Sequence, residues 1–276
     1  MDQRELINTV RKIFFTFFVV AFIGGCSPPE ERELVRGLKA EKNKDFKTAL
    51  AAFDRAILRN PQSNIALLAA KEGSKVALLE LKDFKKATEF FQIIVVLSDD
   101  VTERVAAQKQ LASVYFDQLT DYPKAIGELN KLLATTLEPN EKAKYRIKLA
   151  KAYFFTNNFL QAESEATDFL KGEKDEDSAF QMMVLKGNIY LAKKEQQKAI
   201  EAFKEIMRLF PERAVKENAA MTLAVAYEEV KDYKNAVAVL QQMKKYHATP
   251  EYIDIRINKL ILDQKNQPGA KGVNRK

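Results

Sequence analysis

Six alanines recur along this chain at almost constant spacing. Ala49, Ala87, Ala125, Ala162, Ala199 and Ala236 lie 38, 38, 37, 37 and 37 residues apart. A small or bulky apolar residue and a short polar stretch precede each alanine. A bulky side chain follows four residues after most of them, as at Phe53, Phe91, Leu129, Phe203 and Leu240. A sustained period of this length means a repeat array, in which each unit is too small to bury its own apolar face and stacks on its neighbours. The 276 residues contain only 9 Gly and 8 Pro. Antiparallel β-architectures need turn signals every ~8–12 residues and would use more of both. Few breakers, with abundant Ala, Lys, Glu and Leu, favour helices. A unit of this length then holds two helices and two short connections, so the expected class is all-α.

Composition removes much chemistry. The chain has one Cys, one His and no Trp. No disulfide can close within it, and a zinc site of several Cys or His ligands is excluded. A serine or cysteine nucleophile would have to use His247, which stands before Thr249-Pro250 and reads as a solvated residue at a helix end. No phosphate-binding or dinucleotide fingerprint is present. Asp99-Asp100 and Asp175-Glu176-Asp177 lack the alternating oxygens of a calcium loop. The net charge is +7, yet Lys265, Lys271, Arg275 and Lys276 sit in a terminal stretch without acids, and no basic stripe for nucleic acid runs along the body. The chain is expected to be no enzyme and to use no cofactor, metal or small-molecule substrate.

The repeat resembles the tetratricopeptide repeat, a helix–turn–helix unit with small residues at its eighth and twentieth places and bulky ones at its eleventh and twenty-fourth. The first unit supplies Gly37, Ala40, Ala49, Phe53 and Pro61, and the fifth Gly187, Tyr190, Ala199, Phe203 and Pro211. The second has Ala87 and Phe91, with Lys75 at the glycine place. The third has Tyr115 and Ala125, with one extra residue at Asp121-Tyr122-Pro123. The fourth has Ala150, Tyr153 and Ala162, and the sixth Ala224, Tyr227, Ala236 and Leu240. The resemblance implies a solenoid of about six repeats over residues 31–263. Residues 250–263 place Ile253, Ile257, Leu260 and Ile261 on one face, as a capping helix requires. Residues 264–276 are expected to be a disordered basic tail.

The N-terminal segment has a basic start, then the uncharged run Ile13–Pro29. Its apolar part is short for a membrane span, which needs about 20 residues, and fits a secretory signal. Ile23-Gly24-Gly25-Cys26 resembles the lipobox of bacterial lipoproteins. The resemblance implies a signal peptide over residues 1–25, acylation (palmitate-type chains) of Cys26, and a tether over 26–30. Ser27 implies an outer-membrane lipoprotein facing the periplasm. Similar repeat lengths occur in envelope lipoproteins such as the lipoprotein subunit of the β-barrel assembly machine and the repeat partner of the Tol–Pal system.

The family's binding groove is lined by A helices. Its positions fall here on Lys109, Phe116, Lys144, Ile147, Lys151, Phe154, Phe155, Asn188 and Leu191. Aromatics among lysines suit a peptide with apolar anchors and some acidity. No repeat pairs Lys at the fifth place with Asn at the ninth, so the chaperone-tail carboxylate clamp is absent. The expected function is a lipid-anchored periplasmic scaffold that binds protein partners for assembly of envelope or outer-membrane complexes. The alternatives are an inner-membrane-anchored holdase and a pilus or secretin assembly lipoprotein.

Overall fold

The computed structural model describes residues 27–172 and 175–266. Residues 1–25, read above as a signal peptide, and Cys26 lie outside the described residues, as do positions 267–276. The described residues form α-helices joined by short turns, with no strand among them. The chain divides into two compact units, residues up to Ala107 and residues from Gln108 on.

The first unit holds α1 (Pro29–Lys42), α2 (Phe46–Arg59), α3 (Asn64–Lys75), α4 (Phe84–Leu97) and the start of α5 (Val101–Ser113). The second takes up α5 and continues with α6 (Tyr122–Leu133), α7 (Pro139–Phe155), α8 (Phe159–Lys171), α9 (Glu176–Ala192) and α10 (Gln196–Leu209). It ends with α11 (Pro211–Lys216), α12 (Ala219–Glu229), α13 (Tyr233–Met243) and α14 (Pro250–Lys265). Six A/B pairs follow: α1/α2, α3/α4, α5/α6, α7/α8, α9/α10 and α12/α13. The short α11 stands ahead of the last pair. It was not foreseen, because Pro211 reads equally well as a turn residue.

The anchor alanines sit at the helix crossings. All six have zero exposure. Gly37 and Gly187 face the rings of Phe53 and Phe203. A Cβ built on Gly37 would lie 2.5 Å from Phe53 Cε1, and one on Gly187 2.7 Å from Phe203 Cζ. Both phenylalanines are fully buried. In the second pair Gly73 approaches Phe90, with 2.7 Å from its built Cβ to Cζ. Lys75 is exposed, so the glycine place was misread there, and Phe90 rather than Phe91 fills the crossing. Phe91 is nonetheless buried at 7% exposure.

An inserted residue is part of the cause: it moves the glycine place from Lys75 to the buried Ser74, beside Gly73. In four repeats the N–H of the residue that starts helix B donates to a carbonyl five residues back: Asp45 to Ala40, Asn158 to Tyr153, Glu195 to Tyr190 and Asp232 to Tyr227. In the second and third repeats the reach is six, Asp83 to Ala77 and Asp121 to Tyr115. A wide π-type turn at the end of each A helix, Val76–Glu80 and Val114–Gln118, absorbs the extra residue. These insertions account for the two spacings of 38. They also move the third repeat's extra residue upstream of Asp121-Tyr122-Pro123.

Each of the six turns uses one left-handed residue, and none uses glycine. Lys44, Lys82, Thr120, Asn157, Lys194 and Lys231 have φ between 49 and 61°. A capping residue follows each. Asp45, Asp83, Asp121 and Asp232 accept from the backbone N–H three residues on, which satisfies a donor left open by the helix start. A turn aromatic then opens helix B, as at Phe46, Phe84, Tyr122, Phe159 and Tyr233.

Two boundaries differ from the sequence reading. Pro29 and Glu30 belong to α1 rather than to a tether. Helix α14 runs through Lys265, two residues into the stretch read as tail. Ile253, Ile257 and Leu260 of α14 are buried against Leu240 and Met243 of α13, with Ile261 at the margin.

Candidate functional site

The groove residues named from the sequence all fall in the second unit. Their surroundings divide them. Ile147 is 5% exposed and packs with Ala150, Ala162 and Ile189. It is core, and no partner can reach it. Phe154 is half-buried against the same cluster. Asn188 is half-buried, and Leu191, with Met221 and Val225, lines a cavity of about 530 Å³ between α9 and α12. Lys144 stands exposed on α7.

The aromatic residues form one connected group. Phe155 is 50% exposed. Its ring stacks on Tyr122 at 4.7 Å between centroids and meets Phe116 at 6.4 Å and Phe154 at 5.7 Å. Phe116 and Tyr122 meet edge to face at 5.5 Å, and Phe159 extends the group from Phe154 at 5.8 Å. Such offset and edge contacts add about 0.5–1.5 kcal/mol per pair beyond burial. The wide turn Val114–Gln118 carries Phe116 into this group. Tyr122 and Phe159 open their B helices, and their place in this group depends on ring directions that spacing does not give.

Several cations near this group are already paired within the molecule. Lys109 bonds Glu141 of the next A helix at 2.5 Å. Lys148 pairs with Asp117 and lies over the Phe116 ring, 5.2 Å from its centroid. Arg213 holds Asp177 and Glu217, both at 2.6 Å, and covers Phe180 at 4.0 Å. Lys148 and Arg213 were not singled out from the sequence, and Asp177 was noted only within an acidic run that lacks the pattern of a calcium loop. Their signal was present in the spacing, since each base and its acid lie 31 or 36 residues apart, close to one repeat.

Lys151 differs. Its ammonium donates to a neutral acceptor, Gln181 Oε1, at 3.1 Å. Gln181 is itself held by its Nε2, which donates to Asp177 Oδ2 at 2.8 Å. Burial pushes the Lys151 pKa down, and Lys148 adds to the effect, while Asp177 and Glu217 oppose it. The ammonium is half-buried without a bonded carboxylate, an arrangement that costs free energy unless an anion joins it.

The other residues named for packing are placed as follows. Tyr115 and Tyr227 are buried at 4% and 9% exposure. Tyr153 is half-buried, and its hydroxyl accepts from Asn130 at 3.4 Å. Tyr190 is half-buried between Lys186 and Lys198. His247 Nδ1 accepts from the Thr249 N–H at 3.1 Å, and the ring stacks on Tyr252. Among the described residues no helix is long and apolar enough to cross a membrane, and no acid, His and Cys cluster is arranged to hold a metal.

Comparison with known proteins agrees with this architecture. The family model for the tetratricopeptide repeat matches residues 147–214. The C-terminal part of a tetratricopeptide repeat-containing protein from Cytophaga hutchinsonii is similar over 88% of this chain and 92% of its own, at 16% identity and a TM-score of 0.54. The fold is a tetratricopeptide-repeat solenoid. A tetratricopeptide repeat protein from Parabacteroides merdae is similar at 15% identity over 85% and 86% of the two chains, with a TM-score of 0.48. Pseudomonas aeruginosa pilF is similar at 15% identity over 83% and 97%, with a TM-score of 0.46. The comparison with curated proteins gave no match. A tetratricopeptide solenoid supports the binding of protein partners, and its fold is typically a non-catalytic scaffold.

Proposed function

We propose that this chain is a lipid-anchored scaffold of the bacterial envelope. On this reading residues 1–25 export it, acylated Cys26 holds it at the outer membrane facing the periplasm, and the A-helix face of the second unit binds a protein partner during assembly of envelope complexes. The half-exposed ring of Phe155, seated in its aromatic group and one helical turn from Lys151, carries the binding half. Exposed aromatics backed by rigid neighbours are the residue type that anchors protein interfaces. The run Ile23-Gly24-Gly25-Cys26 supports the anchoring half. Two acyl signals hold a protein stably at a bilayer where one is marginal.

Two experiments test the halves separately. A photo-crosslinker at Phe155 is compared with one at Leu160, which is 75% exposed on the B helix α8. A single envelope protein captured only from Phe155 supports the scaffold. Many unrelated exported chains would replace it with the holdase, and capture from neither position would refute the binding face. For the anchor, Cys26→Ala should accumulate as unprocessed precursor. Unchanged mass and attachment in that variant would overturn lipidation and leave an uncleaved inner-membrane anchor in its place.

A further inference from the structure

Several cations of the second unit are answered within the molecule, whereas Lys151 is not. Lys109, Lys148 and Arg213 each hold a carboxylate of a neighbouring element. Lys151 holds only the amide oxygen of Gln181. That amide is fixed from behind by Asp177, which Arg213 fixes in turn. The chain of contacts orients the ammonium without neutralising it. One turn along α7, Phe155 offers half of its surface to solvent, with its ring braced on Tyr122. Every other ring of the group is at least half-buried. Helix α7 therefore presents, one turn apart, a half-buried cation without a bonded carboxylate and an exposed ring.

That separation selects an occupant. Residues 151 and 155 are four apart on a helix, about 6 Å along its axis. Two residues of an extended chain span about 6.6 Å, and their side chains point the same way. We propose that Lys151 and Phe155 together read an acidic–x–aromatic pair in an extended segment of the partner, with the carboxylate on the Lys151 ammonium and the ring against Phe155. The inference rests on the protein-binding reading given above and adds the chemistry of the bound segment. The acid is internal to the segment, so no free chain end is needed. A carboxylate joining a half-buried ammonium forms a charge-assisted hydrogen bond where solvent screens it weakly. The neutral partner keeps the cation available in the free protein.

The test uses the mature protein and three tripeptide probes, titrated while its backbone amide resonances are followed. Ac-Glu-Ala-Phe-NH2 carries both features. Ac-Gln-Ala-Phe-NH2 lacks the charge, and Ac-Glu-Ala-Ala-NH2 lacks the ring. The full probe is expected to move resonances around Lys151, Phe155 and Gln181 and to bind about tenfold tighter than either truncated probe, the equivalent of 1.4 kcal/mol. Lys151→Gln should erase the preference for Glu over Gln, and Lys151→Arg should keep it. Lys171→Gln makes the same charge change on α8 and should leave all three affinities alone. The thermal midpoint of Lys151→Gln should not fall, because the variant removes a half-buried ammonium rather than a packing contact. Equal binding of the Glu and Gln probes would overturn the inference, and so would wild-type preference in Lys151→Gln. Resonance shifts confined to the B helices, or none, would overturn it as well. None of these failures bears on capture of a partner from Phe155, which judges the scaffold by itself.

Discussion

Gly187 and Gly127 make a matched pair of helical glycines with opposite environments. In an exposed helix interior, Gly→Ala gains about 0.5–1 kcal/mol, because alanine loses less backbone freedom on folding. A Cβ on Gly127 in α6 meets nothing within 4 Å, so Gly127→Ala should gain that full amount. A Cβ on Gly187 in α9 would lie 2.7 and 2.8 Å from Cζ and Cε2 of Phe203. The ring must shift by several tenths of an ångström to restore contact distance. Phe203 has zero exposure and packs in the cluster of Ile206, Leu223 and Leu240, so the shift is passed to neighbours that are themselves close-packed. Overpacking of this kind costs about 1–3 kcal/mol. Set against the propensity gain, Gly187→Ala should be destabilised by roughly 0–2 kcal/mol, and the two variants should differ by about 1–3 kcal/mol. Urea unfolding, with the midpoint and slope fitted together, measures both. Phe203→Leu shortens the obstructing side chain, so Gly187→Ala should cost less in that background than in the wild type. Equal midpoint shifts for the two glycines would refute the claim that this crossing requires a missing Cβ. A cost undiminished by Phe203→Leu would show that the ring is not the obstacle.

Truncating Phe203 to Ala should cost about 3–5 kcal/mol in the same unfolding assay, since the side chain is fully enclosed. Lys231→Gly, at φ 61°, should raise the unfolding midpoint, because glycine reaches the left-handed region without the Cβ clash that costs other residues about 1 kcal/mol. A fall in the midpoint would mean that the lysine stem packs on the turn. Arg213 holds the Asp177 carboxyl below its ordinary 3.8. A depressed folded pKa stabilises above the unfolded value and is lost as pH falls through the folded one, so Asp177→Asn should flatten the acid limb of a stability-versus-pH curve. Lys193, bonded to Glu163 and Glu195, is pushed up to about 12 from 10.5. Its contribution is complete below 10.5 and lost as pH rises through about 12, so Lys193→Met should remove a loss of stability confined to that alkaline window.

The repeats were legible because two small residues and one large one suffice to specify a crossing, and a crossing tolerates little else. Periodicity therefore reported Ala49, Gly37, Phe53 and their counterparts directly. The proposed binding face was legible only as a set of positions. Whether a lysine there is available depends on what stands one repeat away, and Lys109 and Lys151 are indistinguishable until Glu141 and Gln181 are placed opposite them. Ile147 shows the same limit, since a groove place in the consensus became core once α9 closed over it. Burial and pairing are properties of the stack, and a count along one repeat does not contain them.

The inserted residues were half legible, and they can be tested. Spacings of 38 announce one extra residue per repeat but not its place. Counting back from Ala87 as if nothing intervened put Lys75 at the crossing. The structure puts the surplus in the wide turn Val76–Glu80, where Val76 and Ala77 are buried while Leu79 is 66% exposed. If the surplus carries no packing, deleting Leu79 should convert the wide turn to a regular one, with Asp83 reaching back five residues as in the first repeat. The unfolding midpoint should then move by less than the equivalent of about 1 kcal/mol, as for surface changes away from structural features. Deleting Lys42, exposed at the same end of α1, removes a residue from a turn that has no surplus. The connection can then close only by turning α2 about 100° against α1, which would carry Ala49 and Phe53 out of the crossing, and a loss of several kcal/mol is expected. Equal costs for the two deletions would mean that the wide turn is required by the packing of α3 on α4, and that the period of this solenoid is set by its turns rather than by its crossings.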